Sequence, residues 1–248
     1  MRVAFLCDIH GNRPALEAVL PELERRGPFD AIVGGGDYVT RGLDDPGVIA
    51  LLRDAGWTAL LRGNNEDRIL GVAAHEGRIE DVGALRAEEK KFMRYTLDRL
   101  TDADLAFLAT TEMSWRAAGP SGQVLLCAHA HPRDPYPHIW PDAPEAEIDL
   151  MLREHVADVY LYGHIHLNYA RRTDAGMIAN AGTIGGPNRD WNLHPVFVVA
   201  EDDGEGWHVR WVTVPYDRDA YLKHLAMTDV PVVDDLIEAH LSHEWDAG

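Results

Sequence analysis

The stretch RVAFLCDIHGN, from Arg2 to Asn12, joins an unbroken apolar run to an abrupt polar turn. A run without polar alternation suits a strand buried on both faces and covered by helices. Four later runs repeat the design: DAIVGG from Asp30, WTALLRG from Trp57, VLLCAH from Val124 and VYLYGH from Val159. Each ends in a Gly-rich, polar or His-rich turn.

Helical signals lie between these runs. Asn12 can cap and Pro14 can open a helix in which Leu16, Val19, Leu20 and Leu23 recur at helical spacing, with Gly27 ending it and Pro21 as an expected kink. Pro46 to Ala55 and Pro144 to His155 read as two more helices, so strand and helix alternate as in a parallel α/β sheet. The stretch from Arg68 to about Leu108, rich in Arg, Glu, Lys and Ala, lacks a strand-like run and reads as a helical cap inserted in a single domain spanning 1–248. Met177 to Asn180, Val196 to Ala200 and Trp207 to Val214 are more β-branched and aromatic, and predict a second sheet packed on the first. Pro231 to Trp245 predicts a closing helix.

Composition narrows the function classes. At 248 residues and 46% hydrophobic, the chain can bury a substantial core. A formal charge of −18 with no basic stripe excludes binding of nucleic acid by counterion release. No stretch reaches the roughly 18 uninterrupted apolar residues needed to cross a bilayer, and the opening lacks a signal-peptide pattern, so a cytoplasmic protein without a membrane partner is expected. Cys7 and Cys127 each close an apolar run and read as buried free thiols.

Open α/β sheets place their sites beyond the carboxyl ends of their strands. The clusters Asp8-Ile9-His10, Gly36-Asp37, Gly63-Asn64-Asn65-Glu66, His129 and Gly163-His164-Ile165-His166 all fall there. Alternation along an extended Asp-x-His segment sends Asp8 and His10 to one side, where a cation can take both a carboxylate oxygen and an imidazole nitrogen. His164 and His166 share that spacing and can serve a pair of ions. Singly such clusters are ordinary turns. Together they supply the oxygen and nitrogen ligands that two divalent transition metals need. Gly34 to Gly36 is followed by no Lys-Ser/Thr, and no GxGxxG opens a helix, which discounts a mononucleotide-binding fold.

In Asp8-Ile-His10-Gly-Asn12, Gly36-Asp37-Tyr-Val-Thr-Arg-Gly42, Gly63-Asn-Asn-Glu66, Ala128-His129 and Gly163-His-Ile-His166, the chain resembles the calcineurin-like metallophosphoesterase superfamily in order and spacing. Asn180-Ala-Gly-Thr-Ile-Gly-Gly-Pro-Asn-Arg189 and His131-Pro-Arg-Asp-Pro135 are similar to its small bacterial and archaeal phosphodiesterase branch. The resemblance implies a four-layer αββα sandwich of two mixed sheets with a small helical cap. It also implies a binuclear metal-dependent phosphodiesterase or phosphatase whose nucleophile is a metal-bridging hydroxide. Asp8, His10, Asp37 and His166 would hold the first ion, with Asp37 bridging to a second held by Asn64, His129 and His164. Mn²⁺ is the first expectation, and the same ligands accept Fe, Ni, Co or Zn. The implied partner is a small phosphorylated substrate, and a homo-oligomer is compatible with the sequence.

One position departs from the family pattern. Asn65 stands where a histidine usually stabilises the transition state, and an amide can donate a hydrogen bond to a phosphoryl oxygen but cannot transfer a proton at neutral pH. His131, two positions after His129, is a candidate replacement acid, with a solvated loop histidine as the plainer reading. Asn12 and Arg189 are candidate phosphate contacts, set against capping for Asn12 and surface pairing for Arg189. His138, His194, His208 and His224 read as structural. The rival function is a protein-binding scaffold that kept the fold but lost turnover. Asn65 favours it, whereas the seven implied ligands favour the hydrolase, because carboxylates of an empty paired pocket repel one another.

Overall fold

The computed structural model describes residues 1–74, 86–187, 194–231 and 233–242. In it the five apolar runs divide between two five-stranded sheets. Strands β1 (Arg2–Leu6), β2 (Ala31–Gly34) and β3 (Ala59–Leu60) are parallel neighbours, with Val3 beside Ala31 and Val33 beside Ala59. The antiparallel strands β9 (Val196–Asp202) and β10 (Trp207–Thr213) extend this sheet from the other edge of β1, giving the order β10-β9-β1-β2-β3. The second sheet contains β4 (Ser114–Ala118), β5 (Val124–Ala128), β6 (Val159–Tyr162), β7 (Asn168–Arg172) and β8 (Met177–Ala181), in the order β4-β5-β6-β8-β7.

Two expectations change here, and two strands appear that none foresaw. Of the late β-rich segments expected to form a second sheet together, only β8 lies in it; β9 and β10 complete the first. Their Val, Phe and Trp residues suit any half-buried pleated surface, so composition does not choose the partner strand. Conversely, VLLCAH and VYLYGH belong to the second sheet, not to one continuous parallel sheet with β1. Edge strands β4 and β7, SWRAA and NYARR, are half exposed and carry no apolar run to announce them.

Alternation along the buried strands explains the layering. Val3 and Phe5 of β1 point toward Leu125, Val159 and Leu161 of the second sheet, while Ala4 and Leu6 point toward the outer helices. Those helices are α1 (Arg13–Arg26), α2 (Asp45–Asp54) and α3 (Asn64–Ala74), which bury Leu16, Val19, Leu52 and Ile69. On the opposite side, Tyr160 and Tyr162 of β6 meet Ile148 and Leu152 of α6 (Glu145–Glu154). The result is helix, sheet, sheet, helix. Each fully buried Leu or Phe contributes roughly 1.5–3 kcal/mol to holding these layers together.

Asn12 caps α1 by accepting from Ala15 N at 3.2 Å, and the helix passes through exposed Pro21 to end at Gly27. Within the expected cap, α4 (Ala87–Leu97) and α5 (Asp102–Leu108) place Met93 and Leu108 in the same core as Leu6 and Ile69, while residues 75–85 lie outside the described residues. Phe92 joins a smaller cluster with α7 (Arg218–Leu225) and α8 (Val233–Ser242), the latter being the described part of the expected closing helix. Cys7 and Cys127 are free and buried. No helix among the described residues is long and apolar enough to cross a membrane.

Candidate metal centre

Strand β1 stops at Leu6, so Asp8 and His10 stand in a loop, and strand alternation is not what aligns them. Their backbones are left-handed instead. Asp8 (φ 58°), His10 (φ 49°), Asp37 (φ 53°), His164 (φ 70°) and His166 (φ 53°) all adopt this conformation. It costs a non-glycine residue about 1–2 kcal/mol and persists only where surrounding bonds impose it. Here Ile9 N and His10 N both donate to Asp37 O, while Gly185 N and Thr183 Oγ1 donate to Asp8 O. Glycines make room at two points. A Cβ on Gly63 would stand 2.1 Å from Asp37 Oδ1, and one on Gly163 would stand 2.5 Å from Asp8 Oδ2.

These turns gather two buried ligand groups, Asp8 with His10 and His166, and Asp37 with His129 and His164. In the first, His10 Nε2 and His166 Nε2 are 3.0 Å apart, and Asp8 Oδ1 lies 3.4 Å from His166 Nε2. The second has His129 Nε2 3.2 Å from His164 Nδ1 and 3.0 Å from Asn64 Oδ1.

The other ring nitrogens identify the tautomers. His129 Nδ1 faces Gly35 O at 2.9 Å, His164 Nε2 faces Tyr136 O at 3.0 Å, and His166 Nδ1 faces Pro187 O at 3.2 Å. A carbonyl only accepts, so each of these nitrogens carries the proton and the opposite nitrogen turns a lone pair inward. Asn64 Oδ1 and His164 Nδ1 therefore both turn toward His129 Nε2, and although burial opposes it, the Asp37 and Asp8 carboxylates raise His129 above the ordinary histidine range, so positive charge is favoured at this point. Asp8 Oδ1 is buried without a hydrogen-bond partner. A cation satisfies both arrangements, and the donor set of imidazole nitrogens and carboxyl or amide oxygens suits a divalent transition metal.

Asp37 lies between the groups. Its Oδ2 is 4.0 Å from His10 Nε2 and its Oδ1 is 3.6 Å from His129 Nε2. Glu66 holds the backbone that presents it, accepting from Asp37 N, Tyr38 N and Gly63 N at 2.8, 2.8 and 3.0 Å. Burial, with the Asp37 carboxylate beside it, pushes Glu66 up to about 7. Burial and the neighbouring imidazoles hold His10 and His164 well below the ordinary histidine range, which keeps both in the neutral, ligating form. Burial alone would raise Asp8, yet His166 beside it, with His129, draws it below the usual carboxylate range.

A family model described as calcineurin-like phosphoesterase matches residues 1–168. The chain belongs to that family. Over 243 residues it is 24% identical to an uncharacterised protein of Methanocaldococcus jannaschii, covering 89% of this chain and 90% of the relative. Its fold is shared by a hypothetical protein of Pyrococcus horikoshii, with a TM-score of 0.83, 20% identity and coverage of 100% of this chain and 98% of that one. A metallophosphoesterase from Sphaerobacter thermophilus aligns with a TM-score of 0.74 and 20% identity, covering 98% of this chain and all of its own.

Not every sequence candidate of this phosphoesterase meets the ligand groups. Asn65, 1% exposed, donates from Nδ2 to Asp37 Oδ2 at 2.7 Å and from its backbone to Asp37 Oδ1 at 2.9 Å. His131 accepts from Arg133 N and sets its ring against His155, with centroids 5.3 Å apart. Asn12 caps α1 through Oδ1 and donates from Nδ2 to Gly185 O at 3.0 Å, so its amide serves loop structure. Arg189 lies outside the described residues. His138, read from the sequence as structural, has its ring centroid 4.4 Å from that of His164. Sequence reasoning missed Tyr136, whose carbonyl orients His164 and whose hydroxyl donates to Asp67 at 2.7 Å. The His-rich segment after β5 was visible, but no spacing rule ties its later residues to a ligand in the loop that follows β6.

Proposed function

We propose that this calcineurin-like phosphoesterase is a two-metal hydrolase of phosphate esters, a phosphodiesterase or phosphatase acting on a small phosphorylated substrate in the cytoplasm. The observation that carries the reading is Asp37, one carboxylate with an oxygen toward each histidine pair. Asp8, His10 and His166 would hold one ion and Asn64, His129 and His164 the other, with Asp37 common to both. Such ions, Mn²⁺ first among them, supply Lewis acidity toward phosphoryl oxygens and lower the pKa of water. The protein's own contribution is orientation. Carbonyls fix three imidazoles, Glu66 fixes the Asp37 turn and Asn65 ties Asp37 to the start of α3.

With Asn65 bonded to Asp37 and no imidazole there to give up a proton, the leaving group must carry its own negative charge. Activated esters are therefore the better substrates. Among its described residues segment 68–108 contributes no ligand, yet it follows directly on the Asn64 loop, and it is assigned to substrate choice. The test is elemental analysis after reconstitution with Mn²⁺, followed by a panel of mono- and diesters. Two ions per chain with turnover of aryl diesters is the expected result. At most one ion overturns the two-metal reading, whereas two ions without turnover of any ester favours the scaffold, the reading that Asn65 supports.

A further inference from the structure

The loop between β5 and α6 reaches the second ligand group and then turns away into a cleft that the chemistry above leaves unused. His164 Nε2 meets Tyr136 O at 3.0 Å, and two residues later the His138 ring packs on His164, centroids 4.4 Å apart, while also stacking on Trp140 at 5.5 Å. His138 is at the same time a wall of a cleft of about 270 Å³, lined further by His131, Ile139, Ile148, Leu150 and Met151 and edged by Glu147 and Glu154. His138 therefore stands between the cleft and the ligand His164.

We propose that this cleft receives an ester group of the substrate, and that the group is a single aromatic ring bearing positive charge or hydrogen-bond donors. The proposal rests on the two-metal reading and specifies the substrate class for it. Size sets the first limit, since drug-sized ligands fill pockets of roughly 300–1,000 Å³ and this cleft takes no more than one ring system. The lining sets the second. It is apolar with imidazole rings, and Leu150 stays 58% exposed at its edge, apolar surface that a bound ring would cover. Charge sets the third. Among the described residues that line the cleft none is Lys or Arg, and both glutamates are exposed, so a second anionic group is repelled and a cationic ring is attracted.

The first experiment needs neither ion nor turnover. Phenyltrimethylammonium and benzenesulfonate are titrated calorimetrically into the full chain and into Glu147→Lys/Glu154→Lys, whose exposed positions leave the core untouched. The wild type should bind the cation at least about tenfold tighter than the anion, and the double variant should reverse that preference. No binding of the cation, or a preference indifferent to the charge reversal, overturns the proposal. The second experiment places the ring on the substrate. With Mn²⁺ bound, phenyl phosphate should bind roughly tenfold tighter than methyl phosphate, and equal affinities would detach the cleft from the substrate. Failure of the hydrolase reading would show separately, as a Mn²⁺-loaded chain that binds these phosphates and cleaves no ester.

Discussion

On the two-metal proposal, the two ligand groups would hold a cation by different means. The first has a carboxylate of its own, Asp8, drawn to the ionised form by the imidazoles around it and left with one oxygen unpartnered. The second has only neutral donors of its own, Asn64, His129 and His164, but both of its histidines are locked by backbone carbonyls. Charge dominates one group and preorganisation the other. On that reading the first would keep its ion, and the second would hold an ion whose charge is less quenched and more available to a phosphoryl oxygen.

The largest expected effect removes the contrast altogether. Asp37→Ala should strip both groups and lower activity on the order of 10³-fold or more, because several kcal/mol of electrostatic stabilisation leave with the ions. Unchanged metal content by elemental analysis would show that Asp37 is not shared. Next comes Asn65→His, which supplies a transferable proton beside Asp37. Turnover of esters with poor leaving groups should rise by up to ~10² to 10⁴, with little change for p-nitrophenolate. His131→Ala should leave the dependence on leaving-group pKa as it is, since His131 packs on His155. A steeper dependence in that variant would make His131 the acid.

Chelator titration sharpens the comparison directly. Ions should leave in two steps, the weaker about 10- to 100-fold below the tighter, and Asp8→Asn should bring the two together. A single step in the wild type would mean that the groups are equivalent. The smallest effect concerns Tyr136→Phe. It removes the 2.7 Å bond to Asp67 that steadies the loop carrying His164's carbonyl partner, and should weaken the second step alone by about two- to tenfold. An equal shift in both steps would place Tyr136's influence on the fold as a whole.

The ligand segments were legible because their chemistry leaves few choices. Asp8, His10, His164 and His166 each follow a buried apolar run, and few other residue types at such a strand end make O and N donors converge. The route to convergence was not legible. Alternation was the expected cause, and left-handed turns are the observed one, imposed by hydrogen bonds from loops far along the chain. Sheet membership was hidden for the same reason. Val196 to Asp202 fits either sheet until β1 claims it, and Asn168 to Arg172 carries no strand signal because an edge needs little apolar cover. His138 was read as structural because its contact with His164 depends on the path of a loop.

The left-handed turns also bear on how such a centre could be lost or regained over generations. Asparagine and glycine accept that backbone, whereas β-branched residues resist it. A change from Asp8 to asparagine would erase a charge while the turn, the bond from His164 N to the oxygen that remains and the sheets behind it stayed in place. A lineage could thus fall silent in one step without passing through an unstable ancestor, and one reverse substitution could awaken it.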